Sequence, residues 1–231
     1  MKLTIFGASG ATGRQLMQQA LAAGDDVVAY VRSQARISSS QNGLTVIQGE
    51  LTDMAALGRA IHGADAVISL LGPRPGEDLH RQPLVHGIQS ILAAMHANAV
   101  RRLVISSTPS AADPHDLPDF QFKLLVAIVK TTMRPAYEEI VAVAREVRAS
   151  DLDWTIVRVS MLSNLAGTGS LRAGYLGRRQ VETKTCTRRP GMVHARAGTG
   201  WHLAETGSRN QQLNLFRTQF LRSVLTYWDI K

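Results

Sequence analysis

Three glycines at positions 7, 10 and 13, in the stretch Gly7-Ala8-Ser9-Gly10-Ala11-Thr12-Gly13, are the residues whose type and spacing most directly imply chemistry. They separate a compact apolar run, Leu3–Phe6, from a stretch with helical periodicity, Thr12–Ala23, that stops at Gly24. A backbone without Cβ atoms can turn tightly, come close to a diphosphate and open a helix. The free N–H groups and dipole of that helix then favour negative charge. The spacing is G-x-x-G-x-x-G rather than G-x-G-x-x-G. With a strand before it, a helix after it and a second strand about 14 residues beyond, it reads as a pyrophosphate loop. Gly7, Ser9, Gly10, Ala11, Thr12 and Gly13 would face the phosphates.

The end of the second strand discriminates between dinucleotides. A carboxylate there suits the ribose 2′-OH of NAD, and a basic residue suits the 2′-phosphate of NADP. This chain has Tyr30-Val31-Arg32-Ser33, then Arg36, and no acid in that window. A guanidinium offers planar, two-pronged phosphate recognition. Arg32 is therefore the candidate 2′-phosphate ligand with Arg36 in support, and NADP(H) is the expected cofactor.

The elements that must position these residues alternate along the first 160 residues. Strands are expected at Leu3–Phe6, Val27–Val31, Leu44–Ile47, Ala66–Leu71, Leu103–Ile105 and Trp154–Val157. Between them, helical periodicity covers Thr12–Ala23, Met54–Ile61 with Asp53 as N-cap, Leu84–Ala97, and roughly Phe120–Ala149 with a break near Arg134-Pro135. Strands apolar on both sides, each followed by a helix, imply an α/β protein with a parallel sheet covered by helices on both faces.

Composition limits what else the chain can be. Its 231 residues are 45% hydrophobic, enough for one large domain, and the single cysteine, Cys186, excludes an internal disulfide framework. No apolar run approaches the ~20 residues of a membrane span, and no signal peptide is evident, so a cytoplasmic protein is expected. The formal charge of +8 is uneven: residues 1–177 carry 16 basic and 15 acidic residues, residues 178–231 carry 10 and 3. The tail's basic residues are scattered among Thr, Gly and Pro and do not form a recognisable nucleic-acid reader. Seven histidines, at 62, 80, 86, 96, 115, 194 and 202, show no H-x-x-x-H spacing, so no metal site is expected. Glu138 and Glu139 are adjacent on a helix and point apart. The apolar Leu124–Val129 face reads as core or as a homodimer surface.

In combination, Gly7–Gly13, Val31-Arg32, Gly49-Glu50-Leu51-Thr52-Asp53, Gly63-Ala64-Asp65-Ala66-Val67, Ser107-Thr108 and Asp153-Trp154-Thr155-Ile156-Val157-Arg158 resemble the atypical short-chain dehydrogenase/reductases. The nearest branch is the NmrA-like, NAD(P)H-binding group that includes biliverdin/flavin reductases. The resemblance covers residues 1–177 and implies a Rossmann-type doubly wound sheet in the order 3-2-1-4-5-6, with the cofactor across the carboxyl ends of the strands. It implies Glu50 and Leu51 beside the adenine, although the family more often has Asp at position 50. It implies Leu70, Leu71 and Gly72 along the ribose and phosphates, with Arg74 nearby. Leu70 and Leu71 read equally well as core. Ser107 and Thr108 match a hydroxyl pair facing the nicotinamide, the candidate catalytic residues, and hydroxyls at a strand end also commonly cap backbone groups.

Two features depart from the family. The usual proton donor is a Tyr with a Lys four residues on, and here Tyr137 is followed at that offset by Val141. Residues 178–231 do not read as the family's usual ending and form a basic C-terminal segment of uncertain structure. Two functions remain in view. One is an NADPH-dependent oxidoreductase passing hydride to a small conjugated or flavin-like substrate, which needs position and a polar contact more than a Tyr/Lys couple. The other is a non-catalytic NADP(H)-sensing regulatory protein of the NmrA-like type.

Overall fold

The structure is a computed structural model that describes residues 1–34, 37, 41–74, 76, 78–117 and 120–159, together with the backbone of three later strands at 170–174, 181–184 and 201–206. The elements are β1 (Lys2–Phe6), α1 (Ala11–Ala22), β2 (Asp26–Val31), β3 (Leu44–Gln48), α2 (Met54–Ile61), β4 (Ala66–Ser69), α3 (Pro83–Ala97), β5 (Arg102–Ser107), α4 (Phe120–Thr132), α5 (Arg134–Ala149), β6 (Asp153–Val159), β7 (Ser170–Gly174), β8 (Val181–Lys184) and β9 (Trp201–Thr206).

Each of the first six strands pairs parallel with its neighbours, giving the order β3-β2-β1-β4-β5-β6 expected of a Rossmann-type sheet. Beyond β6 the sheet continues through β9, which pairs antiparallel to β6, and then β7 and β8.

Alternation along the strands divides the core in two. Leu3 and Ile5 of β1, Val27, Ala29 and Val31 of β2, and Ala66 and Ile68 of β4 pack against Leu16, Met17 and Ala20 of α1. Phe6, Val28, Tyr30, Val67, Leu103, Ile105, Trp154 and Ile156 face the other way, against α2, α3 and α5. Thr4 falls on this second face, where its hydroxyl is satisfied by donating to the Ala60 carbonyl at 2.6 Å.

Helix boundaries follow local chemistry. Asp53 caps α2 by accepting from Ala56 N at 2.9 Å, as its position predicts. The long helical stretch breaks at Met133, one residue before Arg134 and Pro135 open α5. Helix α3 starts from Gln82 in the left-handed region (φ +48°), with Pro83 in its first turn. Its free Leu84 N–H is capped from outside the helix by the buried carboxylate of Glu139, at 2.6 Å. Thus Glu138 and Glu139 do diverge: Glu138 pairs at the surface with Arg134, and Glu139 joins α5 to the start of α3. Along α4, Phe120, Leu124 and Ile128 are exposed, which excludes the core reading for that stripe of Leu124–Val129.

Candidate functional site

The turn between β1 and α1 is built by its glycines. Gly7 adopts φ +81°, where a side chain would be strained and a Cβ would lie 3.1 Å from the Leu70 carbonyl group. Gly10 N donates to Gly7 O at 3.0 Å, closing the turn, and Gly10 then serves as N-cap of α1. A Cβ on Gly13 would run into the Gly7 carbonyl oxygen and lie 2.7 Å from Ala8 Cα. The third glycine therefore lets the helix pack directly against the turn that precedes it.

Helix α1 consequently begins without a capping side chain and without an acidic residue in its first turn. Its leading N–H groups point out of the carboxyl end of β1 with no side-chain oxygen to accept from them. Arg14 folds back to donate to the Ser9 carbonyl at 2.6 Å, bracing the loop and adding positive charge. Such an end favours an anion. The donor set and the bare glycine backbone therefore fit the diphosphate of a dinucleotide.

Arg32 is exposed just past β2, at the same end of the sheet, and Arg36 lies outside the described residues. At the end of β3, Glu50 is exposed and its carbonyl accepts from Tyr30 Oη at 2.7 Å. Tyr30 is buried against Phe6, ring centroids 5.1 Å apart. Burial pushes its phenol up to about 12, with the negative charges of Asp53 and Glu50 adding to the shift and Arg59 opposing it. Gly49 is tied to this arrangement, because a Cβ there would collide with the Tyr30 hydroxyl. Leu51 is half-buried against α3, at the spot where Gly87 lacks a side chain.

After β4, Leu70 packs into the α1-side cluster and Leu71 into the opposite one, so the two diverge, and both have core contacts. Gly72 is exposed, and a Cβ there would meet nothing within 4 Å. Arg74 is half-buried beyond it.

Ser107 ends β5 and Thr108 follows it, both half-buried. Leu103 and Ile105 face the α3 side and Val104 the α1 side, so alternation sends Ser106 and Ser107 to opposite faces. Thr108 is partly used in capping: its carbonyl accepts from Ala111 N at 3.1 Å, and Oγ1 lies 3.4 Å from Ser110 N.

The loop leaving Thr108 is held by two arginines whose part is not evident from sequence. Arg158, the register partner of Ser107 on β6, is fully buried and forms a bidentate pair with Asp116 at 2.6 and 2.7 Å. Arg148 of α5 donates to the Ala112 carbonyl at 2.8 Å and lies 4.0 Å from Asp113. Asp113, whose side chain is 0% exposed, accepts from His115 N at 2.9 Å and lies 3.0 Å from His115 Nδ1. The signal available in the sequence was Asp113-Pro114-His115-Asp116, two carboxylates on either side of a histidine, beginning five positions after Thr108.

Tyr137 stands in α5 with Lys130 Nζ 5.9 Å from its ring centroid. The lysine thus sits over the ring through a contact between α4 and α5, in place of a Tyr-x-x-x-Lys pair within one helix. Among the described residues no cluster of three or more His, Cys, Asp or Glu could hold a metal ion, and Cys186 and His194 lie outside them. No described helix is long and apolar enough to cross a membrane.

The turn, the parallel sheet and the polar strand ends define a dinucleotide-binding Rossmann-type protein. Residues 7–189 match the NAD(P)H-binding family, and the chain belongs to it; the resemblance to the atypical short-chain dehydrogenase/reductases is borne out. It is similar to a (4-alkanoyl-5-oxo-2,5-dihydrofuran-3-yl)methyl phosphate reductase of Streptomyces griseus, 30% identical over 75% of this chain and 55% of that one. It is also similar to a 2-alkyl-3-oxoalkanoate reductase of Shewanella oneidensis, 31% identical over 46% of this chain and 28% of the relative. The chain therefore spans between about a quarter and just over half the length of these curated relatives. In fold it resembles a short-chain dehydrogenase/reductase from Veillonella parvula solved in complex with NADP, with TM-score 0.62 and 19% identity over 90% of this chain and 96% of that one.

Proposed function

We propose that this protein is an NADPH-dependent reductase that passes hydride directly to a small conjugated or flavin-like substrate. The observation that carries the reading is the uncapped, acid-free amino end of α1 against the Gly7–Gly13 turn, with Arg32 and no carboxylate at the end of β2. In this reading Gly7, Ser9, Gly10, Ala11, Thr12 and Gly13 hold the diphosphate, and Arg32, supported by Arg36, grips the 2′-phosphate. Glu50 and Leu51 flank the adenine, and Leu70, Leu71 and Gly72 line the path to the reacting end. There Ser107 and Thr108 orient the nicotinamide and the substrate. When bound, the reduced nicotinamide supplies the hydride; the chain's own residues supply orientation and polar contacts.

The names of the two curated relatives describe reductases of carbonyl compounds, a 3-oxo acid and an acylated oxo-dihydrofuran phosphate. The acylated oxo-dihydrofuran is a conjugated acceptor of the kind this reading requires, and the 3-oxo acid is a simple ketone that accepts hydride at its carbonyl carbon. NADPH consumption with a panel of flavins, quinones and 3-oxo esters, run beside an NADPH binding titration, tests it. Turnover with at least one acceptor is expected. Tight NADPH binding without turnover on any of them favours a second reading, a non-catalytic NADP(H) sensor. The specific observation behind that alternative is the missing Tyr-x-x-x-Lys couple, with Lys130 placed over the ring of Tyr137.

A further inference from the structure

A phosphate monoester carries close to two negative charges at neutral pH, and a single guanidinium offsets only half of that. We infer that Arg14, in the first turn of α1, is a second guanidinium for the 2′-phosphate of NADP(H), beside Arg32, and so a determinant of coenzyme choice; this rests on the reading above.

The side chain is already turned towards the glycine loop. Side chains in a helix lean towards its amino end, and Arg14 follows that rule. Its Nη1 donates to the Ser9 carbonyl at 2.6 Å, one residue outside the Gly10 cap. The guanidinium is therefore held against the turn and not stretched along the helix. That bond occupies one of the five N–H groups of the fork, and its acceptor is a neutral carbonyl. Arg14 is exposed and has no carboxylate partner among the described residues, so its charge stands uncompensated at the start of α1. Its remaining N–H groups have the planar geometry that suits phosphate oxygens.

The fold puts Arg14 and Arg32 at one corner of the sheet. Helix α1 packs over β1 and β2. Those strands run in register as far as Phe6 and Tyr30. Ser9, which holds the Arg14 side chain, comes three residues after that rung, and Arg32 comes two residues after it. Both arginines thus stand where the carboxyl ends of β1 and β2 meet the amino end of α1.

Charge along this unit is segregated in the same sense. Residues 7–24 and 27–49 contain three arginines, at 14, 32 and 36, and no acid. The two acids between those stretches, Asp25 and Asp26, lie at the opposite end, where α1 has finished and β2 begins. Asp25 is engaged there by the amino group of Met1 at 2.7 Å. The next acid in the chain, Glu50, comes only after β3. A surface that serves solubility alone intersperses the two signs. An acid-free corner with arginines on separate elements instead suits a multiply charged anion, beyond the one diphosphate that the helix end favours.

The test titrates NADPH, NADH, adenosine 2′,5′-bisphosphate and 5′-AMP by calorimetry into wild type, Arg14→Gln, Arg14→Lys and Arg32→Ala, with thermal melts to confirm folding. Wild type should prefer NADPH to NADH, and the bisphosphate to 5′-AMP. Arg14→Gln should weaken NADPH and the bisphosphate by roughly tenfold to a hundredfold, the loss of one charge-assisted contact. It should leave NADH and 5′-AMP within about threefold of wild type. Arg14→Lys keeps the charge and a donor for Ser9 but loses the fork, so its NADPH affinity should fall between the two. A role confined to bracing the Ser9 carbonyl would weaken both coenzymes alike. Equal losses for NADPH and NADH in Arg14→Gln, or undiminished NADPH binding, would therefore overturn the assignment. If Arg14→Gln does not fold, Arg14→Lys decides by the same split, a loss for NADPH alone supporting the assignment and equal or no losses overturning it. A selective NADPH loss in Arg32→Ala leaves the underlying cofactor reading standing even where the Arg14 variants fail. A folded wild type that binds neither coenzyme would sink that reading, and this inference with it.

Discussion

The guanidinium of Arg158 and the carboxylate of Asp116 meet through two hydrogen bonds, 2.6 and 2.7 Å long, with the arginine fully buried. Forty-two residues separate them in sequence, yet this pair ties the loop after the candidate hydroxyls to the last parallel strand. Removing one member of a buried pair strands the other, which typically costs about 3–5 kcal/mol. Arg158→Met should therefore destabilise the protein by that order in urea unfolding. The double variant Arg158→Met, Asp116→Leu should recover most of the loss, since replacing both charges by apolar groups is often neutral. If loop position matters for turnover, the double variant will be stable and slow.

The contact between Gly13 and the turn above it gives a second prediction. A methyl group at position 13 has no room against the Gly7 carbonyl and Ala8. Gly13→Ala should cost roughly 1–3 kcal/mol and force the turn away from α1. Gly72→Ala is the counterpart, because its Cβ would enter open space. That variant should keep the wild-type Tm while weakening NADPH binding, if the cofactor runs past residue 72. Thermal melts and titrations on both variants separate a packing glycine from a ligand-facing one.

Tyr30 predicts an alkaline limit on stability. Its folded-state pKa lies near 12, above the ordinary value of 10. The folded protein therefore holds that proton longer than the unfolded chain does. The corresponding stability is complete below pH 10 and is lost as the pH rises from 10 towards 12, by roughly 2–3 kcal/mol if fully expressed. Tyr30→Phe should cost about 1 kcal/mol at pH 7, from the lost bond to the Glu50 carbonyl. It should also flatten the decline above pH 10. Urea unfolding at pH 8, 10 and 11 in the two proteins checks both signs.

What could be read in the sequence was what local rules dictate. Asp53 starts a helix by capping it, Pro135 divides a helical stretch, and apolar runs such as Val27–Val31 need burial on both sides. These features locate the six strands without reference to distant residues, while their order followed from the family resemblance. The glycine turn was legible for the same reason, since the positive φ of Gly7 and the contact of Gly13 with the preceding turn are set within the loop, whereas the approach of Gly7 to Leu70 is not. The role of Glu139 was not, because the Leu84 N–H it caps is 55 residues away and is brought there by packing of α5 on α3. Arg158 stood in a recognisable motif, yet its partner Asp116 lay in a Pro/Asp-rich loop with no periodicity to place it. His115 was one of seven scattered histidines; only the fold shows Asp113 buried behind it.

The central claim is that the uncapped end of α1 and Arg32 together recognise the diphosphate and 2′-phosphate of NADP(H). Paired calorimetric titrations of NADPH and NADH into wild type and Arg32→Ala test it most directly. The account predicts that wild type prefers NADPH. It also predicts that the substitution weakens NADPH by roughly 1.5–3 kcal/mol, the scale of a charged hydrogen bond, and leaves NADH almost unchanged. Equal losses for both coenzymes, or no heat with either in the folded wild-type protein, would contradict it.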